Sequence, residues 1–127
     1  MIDPIERWHD YMRAGDVSLL DGMIAEGAVF RSPAVHTPQV GKAITVKYLT
    51  AAFHVLGNDS FRYTGEWRAE RSAVLEFECE VGGKQINGVD IIKWNADGLI
   101  DDFKVMVRPM KGLMALVEDM GARLAAA

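Results

Sequence analysis

The chain reads as an α+β domain in which a curved antiparallel sheet wraps over helices, forming a cone. Three observations predict this. Four period-two runs follow one another between residues 61 and 109, separated only by tight turns. Helical spacing is confined to three stretches before those runs and one after them. No repeat, low-complexity segment or linker divides the 127 residues, so one domain spanning 1–127 is expected, long enough for a real core.

The first helix opens at Asp3-Pro4-Ile5-Glu6, where Asp3 can cap, Pro4 fits the first turn and Glu6 is the capping-box partner. Ile5, Trp8 and Met12 form its apolar stripe, and Gly15 ends it. Asp16 caps a second helix, whose Leu19, Leu20, Met23 and Ile24 are expected to face inward. After Gly27, residues 28–32 read as a short strand stopped by Pro33. Residues 33–41, with two prolines and His36, read as an ordered loop. Helical spacing then runs from Gly41 to Leu56, with Ile44, Tyr48, Ala52 and Val55 on one stripe and Leu49, Phe53 and Leu56 beside it.

Two strands follow. Phe61, Tyr63, Gly65, Trp67 and Ala69 are expected inside, alternating with Arg62, Thr64, Glu66 and Arg68 outside; then Leu75, Phe77, Cys79 and Val81 alternate with Glu76, Glu78 and Glu80. Gly82-Gly83 turns the chain into a hairpin from Gln85 to Pro109, closed by Asn95-Ala96-Asp97-Gly98. Its inner faces read Ile86, Gly88, Asp90, Ile92, Trp94 and then Phe103, Val105, Val107. Pro109 opens a last helix with the stripe Leu113, Leu116, Val117, Met120, Leu124. The methionines, mostly at helical inward positions, read as adaptable core filling.

Composition excludes several classes. A net charge of −4 with no basic cluster argues against a nucleic-acid footprint. The single cysteine, Cys79, allows no internal disulfide and lies on an apolar strand face, so it reads as a core thiol. Nothing resembles a signal peptide or a membrane span, and a cytoplasmic location with no membrane partner is expected. No His–carboxylate spacing suits a metal, and no phosphate loop or nucleophile elbow occurs, so no cofactor is expected.

The order of elements, Ala14-Gly15-Asp16, Ala28-Val29-Phe30 running into Ser32-Pro33, Gly41-Lys42-x-Ile44, and Asp97-Gly98-Leu99-Ile100 together resemble the nuclear transport factor 2-like superfamily, a cystatin-like roll, and within it the SnoaL-like branch. That resemblance covers nearly the whole chain and includes ketosteroid isomerases, polyketide cyclases, epoxide hydrolases, dehydratases and non-catalytic binding proteins. It maps the isomerases' protonated oxyanion-hole aspartate onto Asp90, their general-base aspartate onto Ser32 and their first-helix tyrosine onto Trp8. Two of the three groups therefore differ. The epoxide hydrolase pattern adds an Arg, and no Arg stands on an inward face.

Asp90 is the residue to explain, because an unpaired carboxylate on an apolar face costs several kcal/mol. Kept neutral by burial, it can donate to a ligand carbonyl; the alternative is a structural acid satisfied by Tyr48, Tyr63, Trp67 or His36. His36, near the expected cone mouth, reads as a surface-loop histidine or as the candidate proton-transfer partner of Asp90, a role for which Tyr48 is the alternative. Trp8, Phe30, Tyr48, Tyr63 and Trp67 are candidate ligand-binding aromatics, with Phe77, Val105 and Ser32 completing the wall. Three readings stand: a domain binding an apolar or polycyclic carbonyl compound, an isomerase, cyclase or dehydratase, or a non-catalytic association module. A homodimer is expected through the outer sheet face, where Val74, Val89, Ile91 and Met106 lie among charges.

Overall fold

A computed structural model of the chain describes residues 2–126. Helix α1 spans Pro4–Ala14 and α2 spans Val17–Asp21; strand β1 is Ile24–Arg31, β2 is Gln39–Val40, and α3 is Lys42–Leu56. Strands β3 (Arg62–Arg68), β4 (Ser72–Val81), β5 (Lys84–Trp94) and β6 (Ile100–Arg108) follow, and α4 (Met110–Ala126) closes the chain. The six strands form one sheet in the order β2-β1-β6-β5-β4-β3, antiparallel except where β1 lies parallel to β6. The α+β architecture with a helix-covered sheet is the one expected.

Local chemistry explains the elements. Asp3 Oδ1 accepts the Ile5 N–H at 2.9 Å, capping α1. Gly82 and Gly83, at φ 57° and 76°, supply the two left-handed residues of a type I′ turn, whose twist matches the β4–β5 hairpin. In the β5–β6 turn, Asn95 Oδ1 accepts from the N–H of both Asp97 and Leu99 at 3.0 Å. The inner faces of β4, β5 and β6 alternate as read, and Leu75, Phe77, Ile86, Ile92 and Phe103 are buried with Ile5, Trp8 and Tyr11 of α1. The buried Thr45 hydroxyl donates to the Ala28 carbonyl at 3.3 Å, fastening α3 to β1.

Several expectations are corrected. Helix α2 is a short turn of helix: Ile24 already belongs to β1, and Leu19 is exposed. The strand therefore starts at Ile24, with Gly27 inside it and an irregularity between Ile24 and Val29 that a residue count from Gly27 does not reveal. The 33–41 loop holds β2, which pairs with β1 at Val29–Val40 and Phe30–Gln39. Core filling holds for half of the described methionines, Met12, Met23 and Met120. Met23 is buried, whereas Met106, Met110 and Met114 are more than half exposed, and Met1 lies outside the described residues.

The largest correction is on β3. Tyr63 stands opposite Phe77, but Gly65 stands opposite Glu76, so the register slips between them. Because side chains alternate with period two, one extra residue exchanges the faces beyond it. Trp67 therefore pairs with Val74 on the outer face and is 58% exposed, while Glu66 and Arg68 turn toward α1. There Glu66 pairs with His9 at 2.9 Å, and Arg68 bridges Glu66 and Asp3. His9 on α1 is held by that pair, whereas His54 on α3 is exposed.

Candidate functional site: an acid in an aromatic cavity

Between the inner sheet face and the helices lies a cavity of about 200 Å³. Its wall is almost wholly carbon. Trp8 comes from α1, Phe30 from β1, Tyr48 from α3, Tyr63 from β3, Phe77 from β4, and Val105 from β6. Ser32 stands at the loop that follows β1, and Asp90 reaches in from β5. The rings support one another: Trp8 packs on Phe103 at 4.8 Å between centroids, and Phe30 on Tyr48 at 5.2 Å.

Asp90 is 6% exposed, between Leu75 of β4 and Val105 of β6 in the sheet register. Its Oδ2 accepts the Tyr63 hydroxyl at 2.8 Å, and the Tyr63 oxygen in turn accepts the Trp8 indole N–H at 2.8 Å. Oδ1 has no hydrogen-bond partner among the described residues, and Asp90 lines the cavity. Burial pushes the carboxyl up to about 7, against the pull of the Tyr63 hydrogen bond, so near neutrality the acid exists in both forms. The same burial, with the neighbouring Asp90 charge, raises the Tyr63 phenol well above its usual range, so it stays a hydroxyl.

Eight of the ten residues singled out from the sequence thus meet in one place. The other two do not. Trp67 is outside by the register slip already described. His36 is exposed on the loop and borders an adjoining, more polar groove with Arg31 and Lys104, which shares Ser32, Pro33, Val35 and Val105 with the cavity; His36 itself does not line the cavity holding Asp90. Ser32 does line the cavity, but its Oγ already accepts the N–H groups of Ala34 and Val35 at 3.0 and 3.3 Å. Of the structural partners proposed for Asp90, Tyr63 is the one that bonds it.

Sequence reasoning missed how much of the wall is helical. Leu116, Val117, Met120 and Leu124 of α4 close one side, although only Gly112 and Leu116 of that helix are buried. Their stripe was legible as amphipathic; that it covers a cavity and not solid core was not. Phe61, just before β3, and Phe103 of β6, both expected inside, also line the cavity. Among the described residues no cluster of three metal-ligating side chains occurs.

Comparison with known proteins now places the chain. The SnoaL-like domain model matches residues 5–103. The chain belongs to the SnoaL-like family. A solved steroid delta-isomerase from Pseudomonas aeruginosa is 41% identical over 97% of this chain and 90% of its own, with a TM-score of 0.92. An uncharacterised cystatin-like protein from Silicibacter pomeroyi DSS-3 is 34% identical over 97% of this chain and 86% of its own, with a TM-score of 0.88. The epoxide hydrolase/cyclase-like enzyme SalBIII shares the fold, at 19% identity over 86% of this chain and 92% of its own, with a TM-score of 0.65. No curated protein matches the chain. This SnoaL-like chain has no helix, among the described residues, long and apolar enough to cross a membrane.

Proposed function

We propose that this SnoaL-like domain binds a compact apolar carbonyl compound, with the carbonyl oxygen accepting a hydrogen bond from neutral Asp90. The observation that carries the reading is a single buried acid with one unpartnered oxygen in an otherwise aromatic and aliphatic cavity. A neutral carboxyl donates; a carboxylate only accepts. Size narrows the ligand. The cavity of about 200 Å³ exceeds the ~150 Å³ that holds a benzene and falls below the ~300 Å³ where drug-sized pockets begin. One or two rings fit within it.

The test compares 1-tetralone with tetralin, which share a skeleton and differ by the carbonyl, using ligand-observed NMR. At pH 5 the ketone should bind about tenfold tighter, the value of one good hydrogen bond in a dry site. That preference should vanish above pH 8 and, at every pH, in Asp90→Leu. Equal affinities at pH 5 in the wild type would refute the reading.

Identity with the Pseudomonas steroid delta-isomerase favours a second reading, in which polarising the carbonyl serves an enolisation. Shifting a double bond also needs a base to carry the proton. The cavity offers the hydroxyls of Tyr48, Tyr63 and Ser32 but no second carboxylate or imidazole, so Asp90 itself would have to move the proton. Incubation with cyclohex-3-enone decides: a rise in the absorbance of the conjugated enone, slowed at least tenfold by Asp90→Asn, supports the isomerase; the buffer rate supports binding alone.

We further propose a homodimer through the outer sheet face. Trp67 joins Val74, Val89, Ile91 and Met106 there, on adjacent strands β3 to β6. Glu76, Glu78 and Asp102 lie among Lys93, Lys104 and Arg108 on the same face, charges able to pair when the patch meets itself across a two-fold axis.

A further inference from the structure

The chain of hydrogen bonds behind Asp90 has a direction. Trp8 contributes an indole N–H, which is a donor only. Its target, the Tyr63 oxygen at 2.8 Å, is thereby engaged as an acceptor, and the one proton of that phenol is directed to Asp90 Oδ2, also at 2.8 Å. A phenol that accepts a hydrogen bond becomes a stronger donor, so the two bonds reinforce each other. We propose that Trp8 and Tyr63 are positioning residues that fix which oxygen of Asp90 a ligand meets: Oδ2 is occupied from behind, and Oδ1 is turned to the cavity. This deepens the carbonyl-binding reading and rests on it for the ligand. The arrangement commits Tyr63 to the acid, so Tyr63 does not serve as a second donor. The ligand class that fits presents a single acceptor oxygen at its deep end and carbon elsewhere.

The surroundings isolate the relay. Besides Asp90, the titratable groups of the cavity wall are Tyr63 from β3 and Tyr48 from α3; α1, α4, β4 and β6 present no titratable side chain to it. His9 reaches the edge of the Tyr63 ring, 5.3 Å between centroids, and its own polar contact is Glu66. The carboxyl titration therefore reports on Tyr63 and Trp8 more than on any other neighbour.

The experiment begins without ligand. Carboxyl ¹³C NMR of the intact protein follows the Asp90 titration in the wild type, Tyr63→Phe and Trp8→Phe. Removing the Tyr63 hydroxyl takes away a bond to the charged form, so the midpoint should rise by about one to two pH units. Trp8→Phe keeps a ring but loses the N–H, and the midpoint should rise by a smaller, resolvable amount. Should Trp8→Phe fail to fold, benzothienylalanine at position 8 keeps the indole shape and deletes only the N–H. A Trp8 variant with an unchanged midpoint, or a Tyr63→Phe midpoint that stays or falls, overturns the relay. These outcomes stand apart from the ligand reading, which is tested by 1-tetralone against tetralin. With those probes, Tyr63→Phe should keep a ketone preference at pH 5, weakened because Asp90 is no longer held from behind, and carry it to higher pH. Loss of the preference at pH 5 would instead make Tyr63 the ligand's donor and overturn the proposal.

Discussion

Burial of Asp90 should make the stability of the protein fall as pH rises toward neutrality. The folded carboxyl titrates near about 7 against an ordinary 3.8, so between those values the native state holds a proton that the unfolded chain has released. Stability rises with pH only where the unfolded state binds more protons; here the native state does, and the slope is negative. The contribution is fully present below pH ~4, declines through the interval and levels off above pH ~7. About three pH units at ~1.4 kcal/mol each give a total on the order of 4 kcal/mol. Between pH 5 and pH 8 the loss is about 2–3 kcal/mol, which moves a urea midpoint by roughly 1–2 M at m-values usual for small domains. The other shifted groups leave this window clear. Asp3, Asp16 and Glu66 are held below their ordinary carboxylate values by hydrogen bonds and so titrate below pH 5–8, while burial pushes Cys79 up to about 11 and Tyr11 up to about 12, above it. The control is Asp90→Asn, which keeps the shape and an acceptor for Tyr63 but cannot ionise. Urea denaturation of both proteins across the window gives the difference attributable to Asp90. Parallel stability profiles would refute the argument, because they would mean that the carboxyl is no harder to ionise folded than unfolded.

Other expectations test the rest of the construction. Gly88→Ala places a methyl 2.5 Å from the Phe77 ring and 2.7 Å from the Met106 carbonyl, and urea denaturation should show a loss of about 1–3 kcal/mol. Trp8→Ala should cost about 3–5 kcal/mol and change tetralin affinity on the protein that remains folded, whereas Arg68→Ala, which lies outside the cavity, should alter that affinity less than twofold. Equal effects of the two on binding would remove Trp8 from the wall. Ile91→Lys puts like charges near the proposed two-fold axis and should give a folded monomer by light scattering; a wild-type monomer, or a variant dimer of unchanged affinity, would discard the interface.

Much of this was legible along the chain because it is encoded locally. Asp3-Pro4, Gly82-Gly83 and Asn95 to Gly98 mark their caps and turns through backbone chemistry that needs no distant partner. The alternation on β4, β5 and β6 assigned inside and outside because those strands pair without interruption over most of their length. Asp90 was conspicuous for the same reason: a charged residue in phase with Ile86, Gly88 and Ile92 must be buried if they are.

Three features required the folded chain. The slip between Tyr63 and Gly65 depends on how β3 meets β4, and a strand's own sequence does not record an extra residue relative to its neighbour. It expelled Trp67 and turned Glu66 and Arg68 toward α1. His36 is expected at the mouth by its nearness to Ser32, yet the loop carries Ser32, Pro33, Ala34 and Val35 to the cavity while His36 borders only the neighbouring groove, since a loop's path is set by what it packs on. The Trp8–Tyr63–Asp90 relay joins residues 55 and 27 positions apart. Periodicity names the face on which each of the three lies. Only packing α1 against β3 and β5 brings an indole N–H, a phenol and a carboxyl to within hydrogen-bond distance, because direction and separation between elements belong to tertiary structure alone.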